Sequence, residues 1–263
     1  MKTLFKGSLL AILGLCLGLY ATAQVQAQGN PEQSIDTTTS KKTLPFDLNM
    51  QIRNVYIWRG FKVSNSPMTN VNMQFNLTKD KSLTAGFWGA GSFNGEYKEF
   101  DYFVSYAKKG LSLSIWDVNN FSDYPDANIF SYNPKNTSHF IDVRAGYDFG
   151  DAFPLSVQWT TIILGRDTHV KSNGDLSNSY SNYTELGYRF WKEGDAEIHA
   201  FVGGGFAFGR QANFYGSKPN IVNTGITLNK DLVIFRYRVP LAATAMFNPE
   251  KKYGALQLVA NIF

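Results

Sequence analysis

The chain is poor in the residues on which most site chemistry depends. It has a single cysteine, Cys16, and only three histidines in 263 residues. Cys16 sits in an apolar run near the start, so cleavage of that run leaves no cysteine for disulfide, thiolate or metal chemistry. Charged residues make up only 17% of the chain, and the formal net charge is +4. That is not the basic footprint of a nucleic-acid binder. No stretch after the first apolar run approaches the ~20 consecutive apolar residues of a membrane-spanning helix. The sequence has no phosphate-binding loop, no dinucleotide glycine motif and no histidine pair at metal-ligand spacing. No cofactor, metal or nucleic-acid partner is expected from it.

The N-terminal segment has the layout of an export signal. Lys2 and Lys6 precede an apolar run from Leu9 to Tyr20, and Ala21-Thr22-Ala23 supplies a small-x-small cleavage pattern. Residues 1–23 are therefore read as a signal peptide, with Val25-Gln26-Ala27 as a later alternative. Losing Lys2 and Lys6, with no acidic residue before Glu32, lowers the net charge by two. Cys16 follows Leu15 rather than a small residue, which argues against lipidation. Residues 24–45, polar from Gln28 to Thr43, are expected to be a disordered periplasmic linker.

What the chain has in abundance is aromatic residues, with 21 Phe, 14 Tyr and 5 Trp, and glycine, with 23. From Phe46 onward the dominant period is two. Phe46, Leu48, Met50 and Ile52 alternate with Asp47, Asn49, Gln51 and Arg53. Ile141, Val143, Ala145 and Tyr147 alternate with Asp142, Arg144, Gly146 and Asp148. Thr184, Leu186, Tyr188 and Phe190 alternate with Glu185, Gly187 and Arg189. Twelve strands follow, near 46–59, 68–78, 82–92, 99–108, 111–119, 138–149, 154–165, 180–191, 195–208, 221–229, 231–246 and 252–263. Short connections such as Lys108-Lys109-Gly110, Gly150-Asp151 and Asn229-Lys230 alternate with longer ones at 61–67, 93–98, 120–137, 166–179 and 210–220. The last connection, near Asn248-Pro249-Glu250, is short.

This alternation, with aromatics at strand ends (Tyr56 and Trp58, Tyr147 and Phe149, Tyr188 and Phe190, Phe206 and Phe208), is the pattern of an outer-membrane barrel. The expected fold is all-β: an antiparallel transmembrane β-barrel of about twelve strands over residues 46–263. An even strand number places both termini in the periplasm of a Gram-negative cell. A soluble sandwich would alternate too, but gives no reason for aromatics at both strand ends.

Some motifs resemble those of an uncharacterised family of Gram-negative outer-membrane barrels, the Gcw_chp family. Tyr56-Ile57-Trp58-Arg59-Gly60, followed by Ser64, resembles its aromatic-x-Arg-Gly-x-x-x-Ser pattern. Gly86-Phe87-Trp88-Gly89, Glu99-Phe100-Asp101 and Asn182-Tyr183-Thr184-Glu185-Leu186-Gly187 are similar to patterns on its later strands. The resemblance implies a barrel and brings no activity with it. The terminal Phe263 is the aromatic that barrel-assembly machinery reads, which makes that machinery and outer-membrane lipid the expected partners of a monomer. Upstream of it, Leu256, Leu258, Ala260 and Ile262 have the wrong parity for a regular strand ending in Phe263, so either a bulge shifts the register or the signal is atypical.

The inward face carries the candidate site. By parity Arg53, Arg59, Glu99, Asp101, Asp142, Arg144, Glu185, Arg189, Glu197, Arg236 and Arg238 point into the lumen. Arg53, Arg144, Arg236 and Arg238 are expected near mid-height as a basic constriction. Glu99, Asp101, Asp142 and Glu185 are expected as an acidic mouth. Trp88, Phe103, Phe140 and Phe201 narrow the bore. Gly203-Gly204-Gly205 reads as a kink or close-packing site. The expected function is a narrow channel or small-solute transporter. The alternative is a closed barrel, held by cross-lumen ion pairs, that acts through its external loops. An outer-membrane acylhydrolase is a weaker third, because His139, His169 and His199 are spread along the barrel and no His-x-Ser pattern begins at His139. No catalytic residue is assigned.

Overall fold

The computed structural model describes residues 46–123 and 128–262. The expectations for the signal peptide, the linker and Phe263 lie outside the described residues. The elements are β1 (Phe46–Arg53), β2 (Tyr56–Trp58), β3 (Phe61–Ser64), β4 (Met68–Asn76), β5 (Leu83–Ser92), β6 (Lys98–Lys108), β7 (Leu111–Asn119), β8 (His139–Asp148), β9 (Leu155–Gly165), β10 (Thr168–Val170), β11 (Leu176–Asn178), β12 (Ser181–Glu193), β13 (Ala196–Ala207), β14 (Asn220–Ile234), β15 (Tyr237–Asn248) and β16 (Tyr253–Asn261).

Twelve of these close into one antiparallel barrel in the order β1-β16-β15-β14-β13-β12-β9-β8-β7-β6-β5-β4. The hairpins β2–β3 and β10–β11 are separate small sheets set into connections at one end. Each barrel strand pairs with its sequence neighbour, as expected of a meander. The closing seam between β1 and β16 is the exception, and its ladder is short, from Gln51 opposite Asn261 to Arg53 opposite Val259. Asn54 extends it with side-chain bonds: its amide donates to Leu256 O at 3.1 Å, and its Oδ1 accepts from Leu258 N at 2.7 Å. Closure matters because an open edge leaves a row of unpaired amides.

The barrel is apolar outside and polar inside. Leu48, Ile52, Val71, Phe75, Phe87, Val104, Ile115, Leu186, Ile226 and Leu258 are exposed on the outer face, while Gln51, Asn70, Thr84, Asp101 and Asp142 are buried within. A soluble sheet protein puts these classes the other way round. Outward rings also touch across strands, as in Phe75–Phe87 and Phe87–Phe100, with centroids 6.4 and 5.9 Å apart. The architecture is that of outer-membrane barrels in general. One end carries the connections 54–67, 93–97, 120–138, 166–180, 208–219 and 249–252; the other has 77–82, 109–110, 149–154, 194–195 and 235–236. Chain direction places the described chain's two ends, Phe46 and Asn261, at the short-turn end.

Three expectations need correction. The first strand does not continue to residue 59. β1 stops at Arg53, and Tyr56, Trp58 and Arg59 lie on the β2–β3 hairpin, so Tyr56 and Trp58 belong to no outer girdle. The turn expected at Asn229-Lys230 is absent, because β14 runs through it to Ile234. There the Asn229 amide reaches inward to Glu197 at 3.2 Å, and Lys230 meets Asp195 at 2.5 Å, so a turn-like dipeptide is held in extended backbone. The turn falls instead at Phe235-Arg236, both with positive φ (46° and 67°), as a two-residue hairpin turn of the primed type requires. At the C-terminal strand, β16 pairs with β15 from Tyr253 to Ala260 without a register shift. The bulge explanation for its parity is therefore not met among the described residues.

This facing makes the effect of an added charge depend on which face receives it. Leu186→Arg puts a cation on the outer apolar band, at a cost of ~2–4 kcal/mol near the middle of a bilayer. Asn72→Arg puts one on the polar inner face. Refolding into lipid vesicles, followed by gel migration before and after boiling, should show Leu186→Arg folding poorly and Asn72→Arg forming a heat-modifiable band.

Candidate functional site

At the loop end, side chains of the β2–β3 hairpin pack against the inner wall and against Phe214 and Tyr215. Together the hairpin and the connection carrying these two rings fill the loop-end half of the lumen. The hairpin turns at Arg59-Gly60, with φ of 46° and 82°. Glycine at position 60 is required twice over: its φ is left-handed, and a Cβ there would lie 2.0 Å from Val222 O. Arg59 in the same region carries a backbone cost of order 1–3 kcal/mol. Its side chain shows what holds it there.

Arg59 is 5% exposed and Asp142 is fully buried. The guanidinium donates to both carboxylate oxygens, at 2.6 Å from Nη2 and 3.3 Å from Nη1, and Nη1 also donates to Tyr215 Oη at 2.9 Å. From the other side Arg144 Nε donates to Asp142 Oδ2 at 2.7 Å. Each guanidinium also lies over a ring, Arg59 over Trp58 at 4.6 Å and Arg144 over Trp116 at 4.3 Å. A buried carboxylate with two cations and several donors is satisfied in the way that low dielectric demands.

Trp58 packs against all three buried apolar clusters: Tyr56 with Met68 and Tyr97, Val118 with Phe140 and Ile162, and Tyr183 with Tyr215 and Val222. The carbonyl of Gly60 is fixed by Asn248 Nδ2 at 3.0 Å and Tyr253 Oη at 2.7 Å. The glycine run on β13 makes room for the rings beside it. A Cβ at Gly203 would lie 2.1 Å from Tyr183 Oη, and one at Gly205 would lie 2.5 Å from Tyr215 Cβ. The close-packing reading of that run is the one the structure shows.

The residues of the expected acidic mouth lie within the barrel, each with its own partners. Glu99, Asp101 and Asp142 are buried. Asp101 accepts from Asn119 N at 3.1 Å. Glu185 is bonded by Tyr183 Oη and, at 2.9 Å, by Asn223 Nδ2. The expected four-arginine constriction does not assemble. Arg144 is engaged with Asp142. Arg53 donates from Nε to Asn70 Oδ1 at 3.0 Å and from Nη2 to Gln51 Oε1 at 2.5 Å. Arg236 lies in the exposed β14–β15 turn, and Arg238, 64% exposed, faces Asp231 at 3.4 Å. The misplaced turn caused this error, since it moved both residues up the wall.

Below the plug lies a cavity of about 420 Å³, walled by Gln51, Arg53, Thr227, Thr244 and Gln257 among others and bounded above by Ile57 of β2. It reaches the short-turn end at Gly194 and Asp195. The histidines are apart. His139 Nδ1 lies 2.8 Å from Asp117 at the loop end, His199 lies 2.9 Å from Glu197 on the lower wall, and His169 faces Ser179. Among the described residues Nε2 of His139 has no hydrogen-bond partner. Among the described residues no group of His, Cys, Asp or Glu is placed to hold a metal ion.

Phe214 and Tyr215 were missed by sequence reasoning, because a loop residue that folds back into a lumen has no period to reveal it, and Asn223, on β14 beside a register shift, carries no charge to mark it. The spacing of Gly203 and Gly205 on one face was the available signal. No protein-family model and no curated protein matches the chain.

Removing one partner of the central pair strands a buried charge, at ~3–5 kcal/mol. Arg59→Ala and Asp142→Asn should each lower the unfolding midpoint in urea. The double variant should fall well short of the sum, giving a coupling of about 1–3 kcal/mol in a double-mutant cycle.

Proposed function

We propose that the protein is a monomeric outer-membrane β-barrel of a Gram-negative bacterium, with a lumen closed towards the exterior by its own hairpin and open as a cup towards the periplasm. It works as a closed barrel, through its outer loops and its cup, and not as a general diffusion pore. The observation that carries this reading is the Arg59–Asp142 pair, buried and bidentate, which fixes the hairpin across the bore. The outward apolar band supports the membrane setting. The export signal and the short-turn position of Phe46 and Asn261 support the orientation. The resemblance of the Tyr56–Gly60 motif to outer-membrane barrels agrees with it. Outer-membrane lipid and the assembly machinery, through the last strand and Phe263, are the partners this reading requires.

A gated small-solute passage is the second reading. The polar cup favours it, because a barrel needing only rigidity has no use for a solvent-reaching cavity lined by Arg53, Gln51 and Thr244. In that case the β2–β3 hairpin is the gate, since it is a separate sheet within one connection and could move without breaking the barrel ladder.

Single-channel recording in planar bilayers separates these readings from an open channel. The wild-type protein is expected to insert without steady conductance, whereas Trp58→Ala combined with Arg59→Ala should conduct or flicker. Steady ohmic conductance from the wild type would overturn the closed state.

A further inference from the structure

We infer that Arg53 is the anchor of a small-oxyanion site at the closed end of the cup. The charges bordering the cavity are three cations, Arg53, Lys192 and Lys230, and three carboxylates, Asp195, Glu197 and Asp231. Each carboxylate already has a cation. Asp195 holds Lys230 at 2.5 Å, Glu197 faces Arg189 at 3.8 Å and also bonds the His199 ring at 2.9 Å, and Asp231 holds Arg238 at 3.4 Å. Lys192 reaches Asp151 outside the cup, at 3.7 Å. Arg53 is the one without a carboxylate among the described residues. Its bonds go to neutral amide oxygens, Asn70 Oδ1 from Nε and Gln51 Oε1 from Nη2, and Tyr56 stacks 5.2 Å from its guanidinium carbon.

Among the described residues these contacts leave Nη1 without an acceptor. A half-buried guanidinium beside a polar cavity is stabilised by a counter-ion, and its planar fork suits a carboxylate or phosphate. On the same wall Thr227 and Thr244, bonded to each other at 2.9 Å, keep one O–H between them, and Gln257 keeps a second N–H beyond the one given to Val55 O at 2.9 Å, as neutral donors for the rest of such an anion. Arg53 is fixed before any ligand arrives, which limits the ordering cost of binding. The ligand class is a small carboxylate or phosphate species that enters from the short-turn end. The inference rests on the closed-barrel reading only for that direction of entry.

The test is thermal unfolding of the full chain, folded in a non-ionic detergent, with added acetate or inorganic phosphate at low ionic strength. The wild-type Tm should rise with the logarithm of concentration for at least one of them. A response to acetate alone marks a carboxylate site, and a response to phosphate alone marks a phosphate site. Gln51→Glu supplies the missing carboxylate within the protein. It should raise the Tm without added anion and weaken the response about ten-fold or more. Arg53→Gln should lose the response, and Lys108→Gln, beside the 109–110 turn and not lining the cavity, should keep it. A flat wild-type response, or equal responses in wild type and both site variants, overturns the site. A wild type that conducts in bilayers yet shows the anion response overturns the closed state and leaves the site standing.

Discussion

A carboxylate held out of water must be neutralised where it sits, and the structure follows from how that is done for Asp142. The carboxylate lies on the wall of β8, with Arg144 two residues along the same strand as one partner. The second cation comes from Arg59, far away in sequence, and reaching Asp142 draws a whole hairpin into the bore. That hairpin needs a tight turn with two left-handed residues, which explains Gly60, and an aromatic neighbour to fill the lumen, which explains Trp58. Buried pairs of this kind contribute little net stability, because desolvation offsets the Coulombic gain. Their effect here is to select one arrangement of the plug over others.

The same logic governs the barrel as a whole. With apolar residues directed outward, no apolar core is left to fill the inside by default. Large rings therefore sit beside glycines on the inner face: Tyr183, Phe103 and Phe201 lie next to Gly203, Gly86 and Gly225 of the adjoining strands, and Tyr215, from a connection, lies next to Gly205. Near the hairpin Tyr183 and Tyr215 are seated over Gly203 and Gly205, while smaller polar side chains such as Thr227 and Thr244 line the cup at the other end. The division between closed and open halves is thus set by side-chain volume rather than by a change in strand number.

The fold was legible because every spanning segment has to alternate. Phe46 to Arg53 or Ile141 to Asp148 can be assigned to faces without knowing their neighbours, and the alternation of long with short connections gave the polarity of the barrel. The candidate site was legible only in part. Asp142, Arg144, Glu185 and Arg53 were placed on the inner face correctly, but parity says nothing about who meets whom across a lumen. Arg59 was assigned inward, yet as part of a wall strand, because the period of two runs on from Tyr56 to Trp58 into the hairpin. Arg236 and Arg238 were misplaced by a turn signal, Asn229-Lys230, that tertiary contacts with Glu197 and Asp195 override. Tyr215 had no periodic signal at all.

The central claim is that the lumen is shut towards the loops and open towards the short turns. Thr244 lines the cup beneath the plug, and the sequence has no cysteine beyond Cys16, so Thr244→Cys gives a clean reporter. A bulky, membrane-impermeant thiol reagent applied to intact cells should leave this cysteine unlabelled, and the same reagent should label it once the outer membrane is permeabilised. Labelling in intact cells at a rate comparable to that in permeabilised ones would show a passage open from outside and contradict the account.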